Sequence, residues 1–188
     1  MKTESPIRYT LRIALTLLAI AVVVAAALAI VNELTAPAIE KSMKEKTQAA
    51  IELVLGPGET EAVQNFSKEN GLVSNVYKSE AGYAVEVNPT GFDGTITMMV
   101  GVSAEGKVLG ISIISHTESA GLGAVAADKG SKGEKFRKQF SEQTYPVSVK
   151  KDGGAIDSIT GATITSKAVC DGVNAALSCV AKLEGGAL

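Results

Sequence analysis

At 188 residues the chain has room for one ordinary domain plus an anchoring or targeting segment. A formal charge of −2 and a pI near 5.5 leave no electrostatic footprint for nucleic acid, and the absence of Trp with 4% aromatic content argues against a base-stacking platform. Apolar residues make up 46% and charged ones 20%, which argues against a long disordered tail.

Residues 1–12 form a short N-terminal segment carrying Lys2, Arg8 and Arg12. Ile13–Val31 follows, 19 residues in which only Thr16 is polar. As a helix this run spans about 28 Å, close to the ~30 Å hydrocarbon thickness of a bilayer. A secretory signal would show the same basic flank and a small-residue site such as Ala27-Leu-Ala29. Its apolar core is usually only ~7–15 residues, so a retained single-pass helix is expected. Lys41, Lys44 and Lys46 on the far side nearly balance the basic flank. The nearest positive charges lie N-terminally, which favours an N-terminus in the cytoplasm and the rest outside. No ionisable residue lies in this span, so it offers no ion path of its own.

Residues 32–58 read as a stalk. Thr35 is a helix cap with Pro37 in the first turn, and Ile39, Met43, Ile51, Val54 and Leu55 recur at helical spacing. Gly56-Pro-Gly58 ends it. The stalk suits packing on the domain and packing on a partner protein equally.

Residues 59–188 alternate short apolar runs with turns: Leu72–Tyr77, Tyr83–Val87, Thr95–Val102, Val108–Ile114 and Val147–Val149. Such short connections imply antiparallel pairing. Phe136 and Phe140 stand one turn apart on a short basic helix. Ser166–Leu183 reads as a helix with Val169, Val173, Ala176, Leu177 and Val180 on one face. The class is α+β, an antiparallel sheet with helices against it, preceded by one transmembrane helix. Cys170 and Cys179 fall on this last helix, nine positions apart, on opposite faces and too far for a disulfide. Two cysteines and one histidine do not complete a four-ligand zinc site, so no metal is expected.

The segment Asp157–Ser166 concentrates hydroxyls (Ser158, Thr160, Thr163, Thr165, Ser166) around Gly161-Ala162 at the entrance of that helix. Free N–H groups and the positive dipole end make such a place suitable for a phosphate. On composition alone a well-capped helix start is the plainer reading. The spacing matches neither a Walker A loop nor a dinucleotide-binding glycine pattern.

Asp157-Ser-Ile-Thr-Gly-Ala-Thr-Ile-Thr165 resembles the flavinylation motif of FMN-binding domains. That resemblance implies an FMN joined through its phosphate to Thr165, with Asp157, Thr160, Gly161, Ala162 and Thr163 around it. Asn32–Ile39, Gly82–Val87, Gly91-Phe-Asp-Gly94 and Val100-Gly-Val102 are similar to the G-subunit family of Rnf complexes. The C subunit of the sodium-translocating NADH–quinone oxidoreductase shares the motif but is typically longer. Ser115–Gly123 resembles a flavin-adjacent segment usually written Glu-Thr-Pro-Gly-Leu-Gly, departing from it at Ser119 and Ala120. Glu118, Gly121, Leu122 and Gly123 match and are the expected contacts near the ring. Without the resemblance, a surface turn with two glycines at positive φ is the plainer reading of that loop. His116, the sole histidine, stays outside the expected site.

The resemblance implies an electron-transfer subunit of an ion-translocating ferredoxin–NAD+ oxidoreductase in the cytoplasmic membrane, its FMN domain on the outer face. The implied partners are the A, B, C, D and E subunits of the Rnf complex, an ApbE-family flavin transferase and membrane lipid. No catalytic residue of its own is expected, because the flavin performs the redox chemistry. Two other readings stay open: a stand-alone membrane flavoprotein acting as redox sensor or electron donor, and a non-redox anchored scaffold.

Overall fold

A computed structural model describes residues 6–186, with side chains from Arg8 onward; Lys2 of the basic flank and the last two residues of the 59–188 segment lie outside them. By their contacts the described residues fall into two units, one ending at Glu45 and one beginning at Lys46.

Helix α1 runs from Pro6 to Leu55. Every described side chain from Arg8 to Ser42 is exposed, among them Leu15, Leu17, Ile20, Val23, Leu28 and Ile30. No separate helix begins at Thr35, which corrects the expected cap. The Thr35 hydroxyl donates back to the Val31 carbonyl at 2.8 Å instead of accepting from a downstream amide, and Pro37 lies inside the helix. A Thr-x-Pro pattern fits a helix start, but helix-forming residues on both sides carry the turns through it.

The second unit is built on a five-stranded antiparallel meander of β1 (Glu61–Ala62), β2 (Val73–Ser79), β3 (Gly82–Val87), β4 (Thr97–Val102) and β5 (Val108–Ser115), in that spatial order. Short turns at Glu80-Ala81 and around Gly106 connect neighbours, as the antiparallel expectation requires. β4 is buried on both faces, so Met99 is as inaccessible as Met98 and Val100. One face carries Val85, Val87, Met98, Val100 and Ile111 into the main core beneath helix α3 (Thr163–Leu183). On the other, Ala84, Gly101 and Gly110 pair side by side across three strands and form a flat strip. The last turns of α1 pack over Gly101: Ala50, Ile51 and Val54 are buried, and a Cβ on Gly101 would come within 2.8 Å of the Val54 carbonyl oxygen. The end of the stalk thus packs on its own domain.

Helix α2 (Ser131–Lys138) packs by β5, with Phe136 and Phe140 edge to face at 5.4 Å between ring centres. The run Val147–Val149 does not form the expected strand. Asn174 of α3 occupies both backbone groups of Val147, at 2.7 and 2.8 Å, so these cannot join a ladder. Only an isolated parallel bridge from Val149 to Ile156 remains.

Cys170 and Cys179 are both buried and unpaired, because α3 is enclosed around most of its circumference. Burial pushes the Cys170 thiol up to about 12, with Asp171 and Asp152 adding to the rise, and raises Cys179 in the same direction. A thiol raised in the folded state supports folding fully below its ordinary value of 9.0 and loses that contribution as pH climbs toward 12. Native protein at pH 8 is therefore expected to resist a thiol reagent such as dithionitrobenzoate, and denatured protein to react at both positions. Fast native labelling at Cys170 would contradict this packing.

Candidate functional site

Three segments converge at the start of α3. The first is Gly161-Ala162-Thr163, where Gly161 turns the chain at φ +78° and Ala162 precedes the first helical residue. The hydroxyls crowded there do not cap the helix. Ala162 makes no side-chain cap bond, and among the described residues the first-turn N–H groups of Thr163, Ile164 and Thr165 carry no intrachain hydrogen bond. The buried Ser166 hydroxyl instead accepts from the Ile159 amide at 2.9 Å and donates to the Ala162 carbonyl at 2.9 Å, bracing the turn from inside. The helix start is thus rigid while its donors stay open for an anion.

The second segment is the loop after β5. Glu118 is only 7% exposed and accepts a hydrogen bond from the Thr165 hydroxyl, Oγ1 to Oε2 at 2.5 Å, with Thr165 itself 1% exposed. Gly121 has φ +76°, as a turn glycine should. Gly123 serves another purpose: a Cβ there would overlap the Glu118 carboxylate and lie 2.6 Å from Thr165 Oγ1. The third segment is the turn Gly91–Gly94. Its Asp93 amide donates to Glu118 Oε1 at 3.0 Å, and Thr117 Oγ1 donates to the Asp93 carbonyl at 2.9 Å.

Together they enclose a cleft of about 350 Å³ lined by Phe92, Glu118, Ser119, Leu122, Gly123, Gly161, Ala162, Thr163, Ile164 and Thr165. That lies in the ~300–1,000 Å³ range usual for small-molecule sites. Thr165 forms its floor. Phe92, Leu122 and Ile164 line it with side chains that are 69%, 46% and 54% exposed, three large apolar groups suited to the face of a planar ring.

Of the residues expected from sequence, Thr165, Glu118, Leu122, Gly123, Gly161, Ala162 and Thr163 meet in this cleft. Asp157, Thr160 and Gly121 lie instead along a neighbouring groove with Lys132, Lys135, Phe136 and Gln139. Asp157 pairs with Lys150 at 2.8 Å, and Gln139 clamps its backbone, accepting from the amide at 2.7 Å and donating to the carbonyl at 3.3 Å. Asp157 therefore ties the motif to Gln139, the residue that follows α2. Phe92, Ile164 and Gln139 escaped the sequence reading. A Phe between two glycines in a chain with four Phe was the available signal for the first. His116 does not line the cleft.

The residues fit a flavin phosphate: uncapped amides beside a hydroxyl, two glycines (Gly91 and Gly123) where a Cβ would overlap the Glu118 carboxylate, and an apolar rim. The matches to known proteins agree. Residues 91–178 match the model of the FMN-binding domain, and residues 1–54 that of the RnfG N-terminal region. The G subunit of the Na+-translocating ferredoxin:NAD+ oxidoreductase complex of Acetobacterium woodii is 33% identical over 92% of both chains. The G subunit of the proton-translocating ferredoxin:NAD+ oxidoreductase complex of Clostridium ljungdahlii is 37% identical over 64% of this chain and 67% of its own. The G subunit of the ion-translocating oxidoreductase complex of Pseudomonas aeruginosa is 30% identical over 90% and 88%. With this similarity running nearly end to end, the chain belongs to the RnfG family, the G subunits of ion-translocating oxidoreductase complexes, and carries an FMN-binding domain.

Proposed function

We propose that the chain is the membrane-anchored electron-transfer subunit of an Rnf-type ferredoxin–NAD+ oxidoreductase and holds FMN covalently on Thr165. The observation that carries this reading is the Thr165 hydroxyl on the floor of an apolar-rimmed cleft, at a helix start whose amides no side chain among the described residues caps. The Thr163 and Ile164 amides would hold the phosphate, and Phe92, Leu122 and Ile164 would shield the ring from water. Glu118, Leu122 and Gly123 shape one wall and Gly121 turns the chain between them; Asp157, Thr160, Gly161 and Ala162 hold the turn. FMN, when bound, supplies the redox chemistry. The chain itself provides position and solvent exclusion, and electrons enter and leave through the neighbouring Rnf proteins.

Residues 13–31 serve as the anchor, 32–58 as the connecting segment and 59–188 as the flavin domain. The exposed apolar side chains of α1 fit a membrane location. The flanking charges support an N-terminus inside and the flavin domain on the outer face of the cytoplasmic membrane. A cofactor outside the cell cannot be replenished from cytoplasmic FMN, so a permanent tether suits that side. An ApbE-family transferase drawing on FAD would install it.

The test is the mass of the tryptic peptide Asp152–Lys167 from protein made in a host with such a transferase. An FMN adduct is expected on it. An unmodified peptide from fully processed membranes would refute covalent attachment, and co-purification with the other five Rnf proteins separates an Rnf role from a stand-alone flavoprotein.

A further inference from the structure

We propose that Glu118 is the base that accepts the Thr165 hydroxyl proton when the flavin phosphate is attached, an inference that rests on Thr165 being the attachment residue. The two side chains come from segments 47 residues apart and meet almost without solvent access, Oγ1 donating to Oε2 at 2.5 Å. A buried carboxylate is costly unless its oxygens are occupied. Glu118 has no lysine or arginine ion-pair partner among the described residues. Its Oε1 is held by the Asp93 amide at 3.0 Å, which leaves Oε2 directed at the hydroxyl. Glycines flank it on two sides: a Cβ at Gly91 or at Gly123 would overlap the carboxylate. Three separate segments therefore seat one carboxylate against one hydroxyl at the floor of the ligand cleft.

An aliphatic hydroxyl is a weak nucleophile until a neighbouring base takes its proton. The donor in this step is a flavin adenine dinucleotide presented by the transferase. Thr165 Oγ1 forms a bond to the phosphorus on the flavin side. The phosphoanhydride bond to the adenylate breaks, and AMP departs with the electron pair. The hydroxyl proton passes to Glu118 Oε2, and nothing is oxidised or reduced. The transfer also settles a charge conflict, since the new phosphodiester is an anion and a second anion beside it would repel. Once protonated, Glu118 is neutral and can donate a hydrogen bond where it formerly accepted one.

The experiment follows FMN attachment by intact mass over time, on the flavin-free full-length chain in detergent with an ApbE-family transferase and FAD. Glu118→Gln keeps the shape and the acceptor for the Asp93 amide but is a poor proton acceptor. It is expected to slow attachment on the order of 100-fold with unfolding temperature little changed, and labelling within about threefold of the parent rate would overturn the proposal. Glu118→Asp retains a carboxylate one methylene further back and is expected to label at an intermediate rate. If the Gln variant does not fold, the Asp variant decides: a rate within about threefold of the parent overturns the proposal, and a loss of about tenfold or more supports it. A parent chain that carries no FMN at Thr165 under these conditions refutes the attachment reading itself, whatever Glu118 does.

Discussion

Thr165→Ala is expected to abolish the FMN adduct on the peptide Asp152–Lys167 while leaving a folded domain. The substitution removes the one hydroxyl that forms the cleft floor and touches Glu118. It also leaves Glu118 Oε2 without its donor in a buried position, a loss of about 1–3 kcal/mol measurable by denaturant unfolding. The rest of α3 holds its place through Val169, Val173, Ala176, Leu177 and Val180, all buried, and through the Ser166 brace. Thr165→Ser, which keeps the oxygen, is expected to accept FMN. Should the Ala variant still carry covalent FMN, the attachment lies elsewhere, and Thr163, the next hydroxyl along the cleft, is the first position to map.

Gly123→Val is expected to be the more damaging change to the folded site. Its Cβ alone would overlap the Glu118 carboxylate and press on Thr165 Oγ1 at 2.6 Å, atoms fixed from both sides. Overpacking of this kind costs about 1–3 kcal/mol, and here it would also part the carboxylate from the hydroxyl. Both the midpoint of unfolding and the rate of FMN attachment should fall. Gly121→Ala provides the contrast. That residue sits at φ +76° with nothing within 4 Å of a new Cβ, so its cost is backbone strain of about 1–2 kcal/mol and the Glu118–Thr165 pair stays as it is. Equal loss of attachment in both variants would show that the loop works only as a turn.

The two glycines show where sequence reading stops. A Gly-Leu-Gly run signals a turn, and one of the two does supply positive φ. Nothing local reveals that the other is needed because two side chains meet above it, one of them far along the chain on α3. The same holds for the hydroxyl cluster. Counting Ser and Thr at a helix start predicts capping, yet the hydroxyls of Ser166 and Thr165 face inward, and the cap position falls on Ala162.

What the sequence determined by itself was whatever depends on near neighbours or on a long contiguous pattern. This covers the uncharged run Ile13–Val31, the alternation and short turns that make a meander of β2 to β5, the apolar face of α3, and the linear motif ending at Thr165. Tertiary structure alone decided what depends on distant partners. It set Val147 against Asn174 instead of in a strand, laid the end of α1 over Gly101, brought Phe92 to the cleft, and split Asp157 and Thr160 from it. Above all it closed Glu118 onto Thr165, because a buried hydroxyl and a buried carboxylate must each find a partner and the chain brings them within reach only once the sheet and α3 have packed.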